Sequence, residues 1–225
     1  MQGQQAELSW RGGDVPVSTQ FDDPYFSLEN GLAETQHVFL AGNDLPARFI
    51  DGFHIAELGF GTGLNALCAA RSWRDAGVPG TLRITSFEAF PMAVEDMARA
   101  LASHPTVADL AAPLLLGWKT PEAPINLCDG VTLMVEQGDA RDTLPHWDGI
   151  ADAWFLDGFS PAKNPELWGA GLMQAVYDHT RPGGTAATYT AAGFVRRGLA
   201  EAGFAVTREP GYGRKRHMTT ARRAP

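Results

Sequence analysis

The chain has 225 residues, a formal charge of −8 and 44% hydrophobic residues. That length gives one α/β domain, or two small ones, a real core, and only 20% charged residues excludes a disordered acidic polymer. No apolar run approaches the ~20 residues needed to span a bilayer; the longest lies near residues 111–116. Met1-Gln-Gly-Gln-Gln has neither the basic nor the apolar region of a secretory signal. Cys68 and Cys128 form no CxxC pair and have no histidine at metal-ligand spacing. The expectation is a cytoplasmic protein with no membrane segment and no metal.

The charge is uneven. Residues 181–225 hold nine Lys/Arg against two Asp/Glu, so the first 180 hold nine against 24. An acidic body with a basic tail suits a polyanionic partner at one edge, or simply a solvated C-terminal face.

Up to about Phe49 the pattern is irregular, and residues 21–32 read as turns with room for a hairpin. From Phe53 strands and helices alternate. Strands are expected at 53–58, 82–88, 133–136, 153–156 and 184–189. Helices are expected at 64–76, 91–103, 165–179 and 192–202. Asp129-Gly130 turns a hairpin within 125–137, and strands at 204–209 and 216–221 close the chain as an antiparallel pair. This order predicts an α/β, Rossmann-like fold. It has a mainly parallel, doubly wound sheet, with residues 1–52 as an extension packed on a catalytic unit at 53–225. Ligands of such sheets sit at the carboxyl ends of the strands.

At the first of those ends stands Glu57-Leu58-Gly59-Phe60-Gly61-Thr62-Gly63, with Asn65 just inside the next helix. Gly59, Gly61 and Gly63 permit a tight turn and close ligand approach. No GKS/GKT follows, which excludes a triphosphate P-loop. Glu88 ends the second strand, 27 residues after Gly61, where an acid accepts hydrogen bonds from ribose hydroxyls. Asp139 and Ala140 follow the third strand, where a side chain or backbone meets an adenine edge. Glu57 either braces the loop or touches the ligand. Three acids and no basic residue near the loop suit a cationic, phosphate-free nucleoside. S-adenosylmethionine is therefore favoured over NAD.

The stretch from Asp157 to Trp168 (Asp-Gly-Phe-Ser-Pro-Ala-Lys-Asn-Pro-Glu-Leu-Trp) leaves an apolar strand at the same edge. Asp157 there can take a proton or orient an amine, and it can also contact the cofactor. Phe159 and Trp168 can stack on a base; Trp168 can equally be core. Asn164 before Pro165 reads as a helix cap or as a substrate contact. Arg214, Lys215 and Arg216, between flexible glycines, can meet phosphates, with Arg196 and Arg197 nearby, or can only keep an edge strand soluble.

Taken together, Glu57-Leu-Gly-Phe-Gly-Thr-Gly-Leu-Asn, Ser86-Phe-Glu, the Asp157–Trp168 stretch, Ala192-Gly-Phe-Val-Arg-Arg-Gly-Leu and Gly211-Tyr-Gly-Arg-Lys-Arg-His-Met form an ordered set. Phe21-Asp-Asp-Pro-Tyr-Phe-Ser and Glu29-Asn-Gly-Leu-Ala-Glu-Thr-Gln-His-Val-Phe belong to it as well. The set resembles the methyltransferase domain of the bacterial bifunctional tRNA 5-methylaminomethyl-2-thiouridine biosynthesis family and its stand-alone relatives. The resemblance implies methyl transfer from S-adenosylmethionine to the amine of 5-aminomethyl(-2-thio)uridine at the tRNA wobble position. It also implies the anticodon loop as partner, with Phe159, Lys163, Asn164, Trp168 and the 214–216 cations toward the RNA. A flavin-dependent oxidase half, for which a chain ending at Pro225 leaves no room, would make the aminomethyl group. A small-amine methyl- or aminopropyltransferase and an inert binding module are the other readings of the residues.

Overall fold

The computed structural model describes residues 5–12, 14–27, 30–118 and 123–225. The N-terminal stretch that reads as irregular builds a small antiparallel meander of β1 (Leu8–Arg11), β2 (Val15–Ser18) and β3 (Asp23–Pro24). A short helix α1 (Gly31–Thr35) follows, capped by the Asn30 side chain. It continues through a π-helical turn at Gln36–Leu40 and a 3-10 turn at Ala41–Asn43. The sequence shows no long helical period here, because these turns are short and are held by tertiary contacts rather than by propensity. Val38, Phe39 and Leu40 are buried, and Asn43 Nδ2 donates to the carbonyls of Phe39 and Trp154.

The main sheet begins with β4 (Phe53–Leu58), buried along its whole length. It continues with α2 (Leu64–Ala76), β5 (Leu82–Glu88), α3 (Val94–Ala102), α4 (Ala108–Gly117), β6 (Ile125–Cys128), β7 (Val131–Gln137) and the single turn α5 (Ala140–Thr143). Then come β8 (Ala151–Leu156), α6 (Ala170–Asp178), β9 (Thr180–Thr188), α7 (Gly193–Ala202), β10 (Ala205–Pro210) and β11 (His217–Arg222). The strand order is β10-β11-β9-β8-β4-β5-β7-β6. The five strands β7, β5, β4, β8 and β9 run parallel, β6 pairs antiparallel at one edge, and β11 and β10 pair antiparallel at the other. The expected mainly parallel sheet with a C-terminal antiparallel pair is the observed one.

Successive residues of a strand face opposite sides. Ile55 and Phe155 therefore join the core under α2, whereas Ala56, Leu58, Trp154 and Leu156 join the core under α6 and α7. Covering both faces explains why β4 and β8 are mostly apolar along both faces. The polar members are satisfied: the His54 ring meets Thr85 Oγ1 at 2.9 Å, and Asp152 accepts the His54 backbone N–H.

Two expectations need correction, and one helix was not expected. The helix expected from Pro91 starts at Val94, since Pro91 and Met92 carry carbonyls that accept from Ala6 and from the Trp118 indole. The helix expected over 165–179 is a 3-10 turn at Pro165–Trp168 followed by α6. Gly169 between them is extended (φ −68°, ψ 151°), and that break lets the Trp168 indole turn inward. Helix α4, for which no element was expected, carries Pro113 in its interior, against local preference. Burial of Leu110, Ala111 and Leu114 outweighs that cost.

Ile55 is fully buried at the centre of the sheet. Ile55→Ala is expected to lower the free energy of unfolding by about 2–5 kcal/mol in urea titration, with no change in the m-value.

Candidate active site

The chain steps from β4 to β5 and β7 on one side, then returns to β8 on the other side of β4. The loops after β4 and β8 therefore leave in opposite directions and open a crevice between them. They also touch: a Cβ added at Gly59 (φ +78°) would lie 2.9 Å from Gly158 Cα. Any side chain there would drive the two loops apart.

A cavity of about 750 Å3 fills this crevice. Gly59, Gly61, Phe60, Glu88, Asp139, Ala140, Asp157, Phe159 and Asn164 all border it. Glu88 is buried and turns each oxygen to a backbone N–H, Oε2 to Gly61 and Oε1 to Phe90, both at 2.8 Å. Burial raises its pKa, and these N–H donors oppose the rise. The carboxylate borders the cavity between these donors. Asp139 caps α5 by accepting the Arg141 N–H, and the Arg141 guanidinium grips the same carboxylate while pairing with Glu166 at 2.6 Å. That grip lowers the Asp139 pKa.

Asp157 sits opposite the glycine loop. Its Oδ1 accepts the Gly158 N–H at 2.8 Å, and its Oδ2 accepts Asn65 Nδ2 at 2.8 Å. The same Asn65 nitrogen donates to Glu57 Oε1 at 2.9 Å, while Ser86 donates to Glu57 Oε2 at 2.7 Å. Thr35 Oγ1 completes the set by donating to Asn65 Oδ1 at 2.7 Å. One amide thus holds two carboxylates apart and fixes both. Burial pushes Asp157 up to about 7 and Glu57 up to about 8, against the hydrogen bonds from Asn65 that favour the ionised forms.

The N-terminal meander and the β10–β11 turn roof the cavity. Phe21 stacks on Phe159 with centroids 4.6 Å apart, and Tyr25 meets the Phe159 edge. Asp23 accepts the Ser160 N–H, and Lys163 pairs with Asp22 at 2.6 Å. From the other side Lys215 reaches Glu34 at 2.7 Å, with its ammonium 3.8 Å from the centre of the Tyr189 ring. The Tyr189 hydroxyl donates to the Gly158 carbonyl at 2.8 Å, which locks that ring beside Asp157.

The structure separates the expected site residues into groups. Gly59, Gly61, Asn65, Glu88, Asp139, Ala140 and Asp157 converge on the cavity, as do Phe159, Lys163, Asn164, Arg214 and Lys215. Glu57 lies behind the wall as the brace of Asn65, not as a lining group. Gly63 (φ +80°) shapes the entry to α2 without lining the cavity. Trp168 does not stack on a ligand: it is buried in the core, and its indole donates to the Phe159 carbonyl at 2.9 Å, shaping the loop from below. Asn164 makes no capping bond, so its side chain is not spent on the helix reading. Arg216 is exposed outside the cavity lining. Sequence reasoning missed Glu34, Thr35, Tyr189 and Arg141. Only the Glu29–Phe39 motif pointed toward the first two.

Glu88→Gln would set an amide donor against one of two backbone N–H groups. The expected outcome is a loss of S-adenosylmethionine affinity of about tenfold or more with little change in melting temperature, read by calorimetric titration.

The profile of a family described as S-adenosyl-L-methionine-dependent methyltransferase matches residues 105–224, more than half of the chain. The tRNA 5-methylaminomethyl-2-thiouridine biosynthesis bifunctional protein MnmC of Hahella chejuensis is 45% identical over 224 residues, covering 95% of this chain and 36% of that protein. The protein of the same name from Chromohalobacter salexigens is 46% identical, covering 94% and 32%. The chain thus spans about a third of the length of the curated relatives it matches. Among solved structures, MnmC2 from Aquifex aeolicus superposes with a TM-score of 0.73 at 26% identity, covering all of this chain and 72% of that one. TrmN from Thermus thermophilus shares the fold, with a TM-score of 0.51 at 16% identity, covering 81% and 47%. On the family match, the glycine loop and the acid-lined crevice at the sheet's switch point, the chain belongs to the S-adenosyl-L-methionine-dependent methyltransferases.

Proposed function

We propose that this protein methylates the amine of 5-aminomethyl(-2-thio)uridine at the tRNA wobble position, giving 5-methylaminomethyl(-2-thio)uridine. The observation that carries the reading is identity of about 45% across nearly the whole chain to proteins named for that biosynthesis. The cavity fits the chemistry. The glycine loop bears no cation to meet a phosphate, and the Glu88 carboxylate borders the cavity as an acceptor suited to ribose hydroxyls. Ala140 and the Asp139 backbone border the end suited to an adenine. Bound S-adenosylmethionine supplies a sulfonium methyl, which leaves sulfur as its bond to the acceptor nitrogen forms.

The residues of this chain must then deliver a neutral amine. An alkyl amine is mostly protonated near neutral pH, with lysine's pKa of ~10.4 as the guide. Asp157 is the acceptor of that proton and aligns the nitrogen. Its elevated pKa makes it a better base than an exposed aspartate. Burial sets that value above all, opposed by the hydrogen bonds from Asn65 and the Gly158 N–H, while in the roof Glu34 raises it and Lys215 lowers it. Phe159 and the roof aromatics offer faces for a splayed base. Arg214 and Arg216 belong to the anticodon-loop contact in this reading.

The relatives are named bifunctional and are about three times longer. We therefore assign the aminomethyl group to a separate flavin-dependent oxidase activity, and we place the reaction in the cytoplasm with tRNA. No helix among the described residues is long and apolar enough to cross a membrane. Residues 1–52 act in this reading as an extension packed on the 53–225 catalytic unit, supported by the Asp22 and Asp23 bonds to the 160–163 loop.

The test is methyl transfer from labelled S-adenosylmethionine to tRNA carrying 5-aminomethyluridine. Label recovered as 5-methylaminomethyluridine supports the reading; cofactor binding without label overturns it. Asp157→Ala is expected to lower the single-turnover rate by about 100-fold or more. The carboxyl is protonated below its raised pKa and ionised above it. The wild-type rate should therefore climb with pH through about 7, and Asp157→Asn should abolish that limb.

A further inference from the structure

Lys215 is exposed along its side chain, yet its ammonium is not spent on solvent. It is held by the Glu34 carboxylate at 2.7 Å and by the Tyr189 ring face at 3.8 Å. Both partners are built into the wall. The Glu34 side chain is only 12% exposed, and its neighbour Thr35 is bonded through Asn65 to Asp157. The Tyr189 ring is fixed by its bond to the Gly158 carbonyl, one residue from Asp157. Lys215, Glu34, Tyr189's neighbour Gly158 and Asp157 all border one cavity. A carboxylate and an aromatic face converging on one point make a seat for an ammonium ion. The terminal carbon and nitrogen of lysine are, chemically, a protonated aminomethyl group.

We propose that Glu34 and Tyr189 form the seat that recognises the protonated aminomethyl group of the acceptor nucleotide, and that Lys215 occupies this seat as an internal placeholder until the substrate displaces it. This rests on the reading of the acceptor as an aminomethyl uridine. Lysine suits the placeholder role because its long flexible stem can swing away, whereas arginine's rigid fork would not mimic a single ammonium. The displaced cation remains on the turn that carries Arg214 and Arg216, so the charge that leaves the seat stays beside the RNA. Glu34 is here a specificity-determining residue: it selects a cationic acceptor before Asp157 receives the proton.

The test compares two anticodon stem-loop RNAs, identical except for 5-aminomethyluridine or 5-methyluridine at the wobble position. Binding is measured to protein loaded with S-adenosylhomocysteine, so that no turnover intervenes. Phosphate contacts are common to both RNAs, and the ratio of their dissociation constants reports the amine alone. Wild-type protein is expected to favour the amine by about tenfold or more. Glu34→Gln should cut that preference about fivefold or more while leaving S-adenosylhomocysteine affinity intact, which also certifies the fold. Lys215→Met keeps the stem and removes the competing cation, so the preference should widen by about threefold. A preference that survives Glu34→Gln, or that falls in Lys215→Met, overturns the seat. Methyl transfer by a wild-type protein that shows no amine preference overturns the seat alone. A Glu34-dependent preference without methyl transfer keeps the seat and overturns the functional reading.

Discussion

A single primary amide, that of Asn65, donates from one nitrogen to two buried carboxylates, Glu57 and Asp157. Burial in a low-dielectric wall raises the pKa of both acids, and the Asn65 hydrogens oppose that rise. Asn65 offers each one hydrogen, and its own oxygen is fixed by Thr35. The three residues come from β4, α2 and the loop after β8, so the bond set also fixes how the first helix meets the switch point. The positions of the glycine loop, the reactive carboxylate and α1 all follow from it. Apolar packing on either face of the sheet can hold β4 and β8 side by side, but it cannot aim their last residues at one another.

The charge asymmetry of the chain takes on a different meaning once folded. Several cations of the basic tail are used internally, as staples between the C-terminal edge strands and the acidic body. Arg222 pairs with Asp44 at 2.6 Å, Arg181 with Asp152 at 2.8 Å, and Lys215 with Glu34. Arg223 donates to the carbonyls of Tyr177 and Thr180 behind α6. Exposed pairs of this kind add little stability one by one. Their effect is geometric: Arg222 and Lys215 tie β11 and the β10–β11 turn to segments that lie far away in the chain, and Arg181 ties β9 to β8. The tail is then both a structural edge and, at Arg214 and Arg216, a cationic rim beside the cavity.

The roof shows the same economy of parts. Phe21 and Tyr25 of the N-terminal meander and Phe159 of the loop after β8 form one aromatic cluster over the crevice. Trp168 was a candidate for this surface, but its indole serves the loop from beneath by holding the Phe159 carbonyl. A large ring next to a glycine-rich functional loop can equally be the ligand's platform or the loop's foundation. Only the direction of its side chain distinguishes the two.

The sequence by itself determined what depends on neighbours in the chain. The order of strands and helices, the glycine turns, Glu88 at the end of β5 and Asp157 at the end of β8 were all legible. Each is written as a local pattern of apolar runs broken by glycine or acid, and the parallel-sheet rule then places those ends on one edge. What only the tertiary structure decided were contacts between segments with no shared local pattern. Glu34 and Lys215 stand 181 residues apart and meet because β11 pairs antiparallel with β9 and brings its turn back over α1. Glu57 braces Asn65 because its strand turns that side chain toward α2. The 3-10 turn at Pro165–Trp168 and the proline-bearing α4 exist because burial outweighs local preference there. Local preference is written along the chain; the free energy of burial depends on which surfaces the finished fold brings together.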